Sequence, residues 1–356
     1  GMISLALMLM LSAGALTLSL GIMVVLAALI DKRFDLPALG IFVQVGTVVL
    51  GWRLLADPGI FWAFEKAALW DLLFVFVGII ALLGATWITL KERAREGAMI
   101  TVESAVWVFG AVLIVTLIYR AMGGEIDNHW AVSLIALVWL ISMVNQMYRM
   151  KSGGRMRWVR GALAAVFGLL GAAFLGFVVT IFNPLDSRSE VVIGVPIFDS
   201  LMVALVPIAI LFAVAAWKLA HFRMTVRRIF MALSAIFAAS YVALEIRRLW
   251  HGPVLAEHGV MQGELYSYTV AMLVASVALL FFAFSRRSEG LHKLAIAGIG
   301  LTIAKVFLID MSGLDGLVRV ASFLGLGLSL AGLAWVNRRM KQQWDSGKEP
   351  VAEESD

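Results

Sequence analysis

Positive charge is concentrated in alternate connections along this chain. Eleven long apolar stretches are separated by links that are in turn basic and acid-leaning. Of the 29 Lys and Arg residues, 21 fall in every second connection or in the C-terminal tail, and 8 fall on the other side. An excess of Lys and Arg in cytoplasmic loops is the mark of a multi-pass membrane protein. The basic connections are Lys32-Arg33, Lys91 to Arg95, Arg149 to Arg160, Lys218 to Arg228, Arg286 to Lys293, and the tail from Arg338. The opposite side carries Asp57, Glu125, Asp127, Asp186, Glu190, Glu257, Glu264 and Asp315. The alternation predicts an all-α, polytopic transmembrane bundle in the bacterial inner (cytoplasmic) membrane. Its N-terminus is expected on the periplasmic side and its C-terminus in the cytoplasm.

Composition agrees. Hydrophobic residues make up 62% of the 356 and charged residues 15%, where a soluble domain carries roughly a quarter charged. The net charge of +5 is explained by loops meeting anionic lipid, so no nucleic acid partner is expected. The chain has no cysteine, which excludes disulfides, thiolate metal sites and a Cys nucleophile.

A membrane helix needs about 20 mostly apolar residues. The apolar stretches predict helices at about 3–30, 36–56, 69–90, 98–121, 129–149, 157–182, 193–217, 225–250, 264–285, 290–311 and 315–337. The stretch around Trp62, Glu65 and Lys66 is too polar to span and reads as an amphipathic interfacial piece.

Internal echoes recur at about 126–128 residues. Arg120 is followed by Arg248, 128 residues on; Asp57-Pro58 by Asn183-Pro184, 126 on; and Asn183 by Asp310, 127 on. Asp71 and Asp199 are 128 apart. The chain therefore reads as parallel four-helix repeats. Residues 1–97 are a partial first repeat (helices 1–3), 98–223 a second, 224–340 a third, and 341–356 a polar cytoplasmic tail. Helices 1–3 look like the end of an earlier copy, so the chain reads as the later part of a longer protein.

The last repeat carries Leu244-Glu245-Ile246-Arg247-Arg248, then Glu264-Leu265-Tyr266-Ser267-Tyr268, then Lys305 to Asp310 and Arg319-Val320-Ala321-Ser322-Phe323 ahead of Gly325. These segments resemble the bacterial predicted membrane proteins catalogued as domain of unknown function 2339. The resemblance implies the helical fold, the membrane location and a place in the C-terminal part of longer members. It supplies no reaction.

Charges within lipid are costly unless paired or wetted, and each one is a functional hypothesis. Lys305 lies among Ile303, Ala304, Val306 and Phe307, five residues before Asp310. Its counterpart two repeats earlier is Arg53, while the middle copy has Val179. Both cations either snorkel or pair, or else contact a ligand. Arg319 either staples to Asp310 or Asp315, or clamps an anionic group with its planar guanidinium. Glu245 and Arg248 share a helix face and can satisfy each other, with Arg247 directed elsewhere. Glu264 and Tyr266 open helix 9, where a Glu complements the helix dipole or, if desolvated, acts as an acid or base. His251 and His258 without further ligands make a poor metal site, so no metal and no cofactor is expected.

Three functions follow. The first is binding or translocation of an anionic lipid, glycolipid or envelope-polymer ligand from the periplasmic side. The ligand-binding candidates are Lys305, Arg319, Arg247, Arg248, Glu264, Tyr266, Asp310, Glu245 and Arg53. The second is a scaffold for an envelope protein partner, its charges serving as structural pairs. The third, a membrane-embedded transferase or hydrolase, is disfavoured because no phosphate loop, zinc motif or nucleophile elbow is present.

Overall fold

A computed structural model describes residues 13–55, 59–92, 95–152, 157–257, 259–310 and 317–346. Eleven long helices account for most of it: α1 (Ala13–Phe34), α2 (Pro37–Leu55), α3 (Leu69–Lys91), α4 (Glu96–Ala121), α5 (His129–Arg149) and α6 (Arg157–Thr180) come first. After a two-stranded hairpin, β1 (Gly194–Val195) and β2 (Phe198–Asp199), follow α7 (Ser200–Lys218), α8 (Met224–His251), α9 (Gln262–Arg286), α10 (Glu289–Lys305) and α11 (Leu317–Ser346). The first ten, with α10 counted through the turn that continues it to Asp310, are long and apolar enough to cross a membrane.

The helix ends follow from local chemistry. Pro37 opens α2, where its missing N–H costs nothing and its fixed φ suits the first turn. Asn128 caps α5 by accepting from the Ala131 N–H at 3.1 Å, and Asp199 caps α7 by accepting from the Met202 N–H at 2.8 Å. Such caps satisfy donors that the first turn leaves open.

One expected boundary is corrected. The seventh helix was predicted from residue 193, but residues 194–199 form the β1–β2 hairpin and α7 begins at Ser200. Pro196 and Gly194 break the apolar run there, and Asp199 supplies the cap. The polar piece at Trp62 is also specific in form. A short turn, Gly59–Phe61, runs into a π-turn, Trp62–Lys66, that closes when the Ala67 N–H donates to Trp62 O at 2.9 Å. Ala63 and Ala67 enter the core, and Glu65 and Lys66 stay exposed.

The chain divides into two compact units, residues 1–241 and 242–356, with the boundary inside α8. In the first unit α1 packs on α2 and α3, and α4 packs on both α2 and α3, enclosing Val24, Val43, Leu50, Leu72, Ile79, Leu83 and Val102. The α5–α6 pair is the most extensive helix contact among the described residues. Gly171 makes it possible: a Cβ there would lie 2.8 Å from the Leu140 side chain. Small residues that bring backbones together are how helices associate in lipid, where apolar burial gives no driving force. A second core gathers Leu140, Ile208, Phe212, Ala215 and Phe230. In the second unit α9 packs on α10, and α10 on α11. Gly325 of α11 lies where a Cβ would meet the Phe307 ring at 3.1 Å.

A candidate site of closed charge clusters

Two helix ends build the principal cluster of the second unit. Arg247 and His251 are four apart on α8, and Glu264 and Tyr268 are four apart on α9, so each pair presents one helical face. Glu264 is completely buried, yet its carboxylate accepts from four donors. These are Tyr268 Oη at 2.8 Å, His251 Nε2 at 2.9 Å, Arg247 Nη1 at 3.2 Å and the Met261 backbone N–H at 3.3 Å. The last is the back-reaching half of a capping box at the start of α9. Arg247 also donates through Nε to Leu255 O (2.7 Å) and through Nη2 to Glu257 O (2.5 Å), pinning the α8–α9 connection. Trp250 Nε1 donates to Ser267 Oγ at 3.1 Å on the same helix pair.

The next residues of α9 hold a second cluster. Lys305 Nζ donates to Leu265 O (2.9 Å), Thr269 Oγ1 (2.6 Å) and Asp310 Oδ1 (2.6 Å). Thr269 Oγ1 in turn donates to Asp310 Oδ2 at 2.6 Å. The ammonium has three protons and three acceptors. Local backbone form makes this possible: Val306–Asp310 is a π-turn. In an α-helix a residue five positions on sits roughly 140° around the axis. The wider π-turn returns Asp310 to the face of Lys305, and such turns are often associated with functional sites.

The other expected residues are placed as follows. Arg248 Nη1 lies 3.8 Å from Glu245 Oε1 on α8, and both residues are buried. Tyr266 is half exposed, two residues along α9 from Glu264 and so on a different helical face. Arg53 belongs to the first unit; it is buried and its Nε donates to Thr17 Oγ1 at 3.4 Å. Arg319 falls in α11, but its side chain lies outside the described residues, as do Asp315 and His258. Among the described residues no group of three metal-binding side chains is found.

The first unit holds further clusters that motif reading missed. His129, at the start of α5, meets Glu190 Oε2 through Nδ1 at 2.7 Å and through its backbone N–H at 3.2 Å; its Nε2 meets Ser200 Oγ at 3.1 Å. All three residues are buried. The partners are 61 and 71 residues away in sequence, so no local spacing marks them; the only clue is the buried-type position of a lone His beside an Asn cap. At the basic ends of α4, α5 and α6, Glu103 pairs with both Arg149 and Arg160. Arg95 bridges Asp31 and Asp35; its hydrogen bonds to Asp31 above all raise its pKa beyond the ordinary value. Arg120 donates through Nε at 3.0 Å and Nη2 at 2.5 Å to Ala63 O, a carbonyl of the Trp62–Lys66 π-turn.

Ten apolar helices of spanning length among the described residues define a polytopic helical membrane protein. The chain belongs to the family described as "Predicted membrane protein (DUF2339)", whose family model matches residues 1–340. No curated protein and no solved structure matches it.

Proposed function

We propose that this membrane protein is a scaffold in the cell envelope, built from parallel four-helix repeats whose intramembrane charges act as structural clamps. One observation carries the reading: two buried charges of the last helices, Lys305 and Glu264, are saturated from within the chain. Lys305 has three internal acceptors and Glu264 four internal donors. A cation meant to grip an anionic headgroup keeps donors free for it, whereas a clamp uses them up. A buried pair that is fully hydrogen-bonded also selects one packing arrangement, because every misregistered alternative strands a charge.

The repeat reading gains support from one pair of contacts. Arg53 meets Thr17 in the first unit, and Lys305 meets Thr269 in the second. Both members of the pair are displaced by the same interval (305 − 53 and 269 − 17 are each 252). In the middle copy the two positions are Met143 and Val179, so cation and acceptor are absent together. That is the behaviour of a clamp, whose halves have no value alone. The proposed orientation keeps the basic loops in the cytoplasm and the Glu264 and Lys305 clusters near the periplasmic face.

Complementation of a chromosomal deletion tests the scaffold reading. Lys305→Met, Glu264→Gln and Arg247→Met are expected to reduce the phenotype only as far as they reduce the folded protein in the membrane. Cross-linking in the native membrane is expected to recover a stoichiometric protein partner. A variant present at wild-type abundance and stability, yet inactive, would favour handling of an anionic lipid or envelope-polymer ligand instead.

A further inference from the structure

Between Glu190 and Asp199 the chain reads Val-Val-Ile-Gly-Val-Pro-Ile-Phe, with no charge. These residues lie outside the helices, in the connection that bears β1 and β2. Val192 is buried, but four of the others are turned outward: Ile193 is 65% exposed, Val195 63%, Ile197 61% and Phe198 68%. A cluster of large apolar side chains in a surface connection marks an interaction surface.

The hairpin is also tied down at its tip and base. β1 and β2 pair antiparallel, Gly194 with Asp199 and Val195 with Phe198. The tight turn is Pro196-Ile197, and Ile197 has φ +76°. That is the second central position of a type II turn, where glycine is the usual residue. A β-branched residue there is an outlier, and strain of this kind persists where the surroundings hold it and a function uses it. Here Tyr241 Oη donates to Ile197 O at 2.7 Å. A glycine would relax the backbone but would remove the apolar side chain from the tip. The base is locked on both sides. Glu190, just before the hairpin, and Ser200, just after it, are the two partners of buried His129. Ser200 also exchanges two hydrogen bonds with Ile193, its N–H donating to Ile193 O at 2.9 Å and its Oγ accepting from the Ile193 N–H at 3.2 Å.

We infer that Val191–Phe198 is an interfacial anchor, seated in the headgroup–acyl boundary of the leaflet on the His129 side, and that the Glu190–His129–Ser200 cluster is its mounting. Three observations choose lipid as the occupant. Phe198 stands two residues ahead of the apolar spanning helix α7, and at about 3.3–3.6 Å per residue the tip lies within about 15 Å of the helix start. The preceding stretch leads into it with exposed Val179, Ile181 and Leu185, at the end of the spanning helix α6 and just after it. The segment has neither charge nor exposed polar side chain to mark the rim of a protein interface.

Because the chain lacks cysteine, single labels can be placed without background. Val195→Cys and Ser189→Cys, each carrying a nitroxide, are reconstituted separately in phosphatidylcholine/phosphatidylglycerol vesicles. Ser189 is an exposed polar residue of the same connection and serves as the aqueous reference. The expected result is that the Val195 label collides preferentially with oxygen, as a probe about 5–10 Å below the headgroups does. The Ser189 label is expected to collide preferentially with a water-soluble nickel chelate. Equal nickel accessibility at the two sites would overturn the anchor. Exclusion of both reagents from Val195 would also overturn it, and would place the hairpin against a second copy of the chain.

Discussion

At the scale of single residues, charges in this protein are defined by how many partners they have. Glu264 is the clearest case, buried and held by four donors from two helices and one connection. Glu264→Leu would leave the Arg247 and His251 donors without their acceptor. Removing one partner of a buried pair costs about 3–5 kcal/mol, so a large drop in thermal stability in nanodiscs is expected. Glu264→Gln retains an acceptor and is expected to cost less; equal losses for the two variants would show that the carboxylate charge is not what the cluster needs. Glu190 is a second test. Glu190→Ala strands both N–H groups of His129, each unsatisfied donor costing about 1–3 kcal/mol. The measurement is chemical unfolding, and no loss would show that the His129 cluster is dispensable for stability. The presence of these residues was legible in the sequence, since Glu264, Arg247, Lys305 and Asp310 stand out against apolar surroundings. Their saturation was not, because it depends on His251, Tyr268 and Thr269, which are unremarkable polar residues until two helices bring them together. The His129 cluster was invisible because its members lie 61 and 71 residues apart.

At the scale of elements, hydropathy and caps carried most of the information. Ten spans match expected stretches because a run of about 20 apolar residues admits few other structures. The exceptions have a common cause. The β1–β2 hairpin and the Val306–Asp310 π-turn are made mostly of apolar residues, so hydropathy alone folds them into the neighbouring helix. Pro196 and the Asp199 cap were the signals available for the hairpin. Nothing comparable precedes Val306–Asp310, where a change of hydrogen-bond register, not of composition, brings Asp310 back to Lys305. Close packing gives another element-scale prediction. Gly171→Leu on α6 would drive a side chain into Leu140 of α5, where even a Cβ comes within 2.8 Å. Overpacking of this kind costs about 1–3 kcal/mol or more. Gly176 of the same helix has no atom within 4 Å of a Cβ, so Gly176→Ala is expected to be neutral or slightly stabilising. A thermal-shift comparison in nanodiscs checks the contrast, and equal effects would contradict the packing assigned to α5 and α6.

At the scale of the whole molecule, the apolar spans define a multi-pass helical membrane protein, and the proposed scaffold uses its partnered charges to hold helices in register. Labelling from either side of sealed vesicles is expected to place residues of the Lys218–Arg228 connection on the cytoplasmic side and Ser189 on the other. The opposite assignment would reverse the proposed orientation. If Lys305 and Asp310 form a clamp, a double-mutant cycle on the two residues reveals it, with unfolding free energy measured in nanodiscs of fixed lipid composition. Lys305→Met and Asp310→Leu are each expected to be strongly destabilising, by about 3–5 kcal/mol, and the double variant to recover much of the loss because no charge is left stranded. Single variants as stable as wild type, with no coupling between them, would contradict the clamp and leave Lys305 free to serve a ligand.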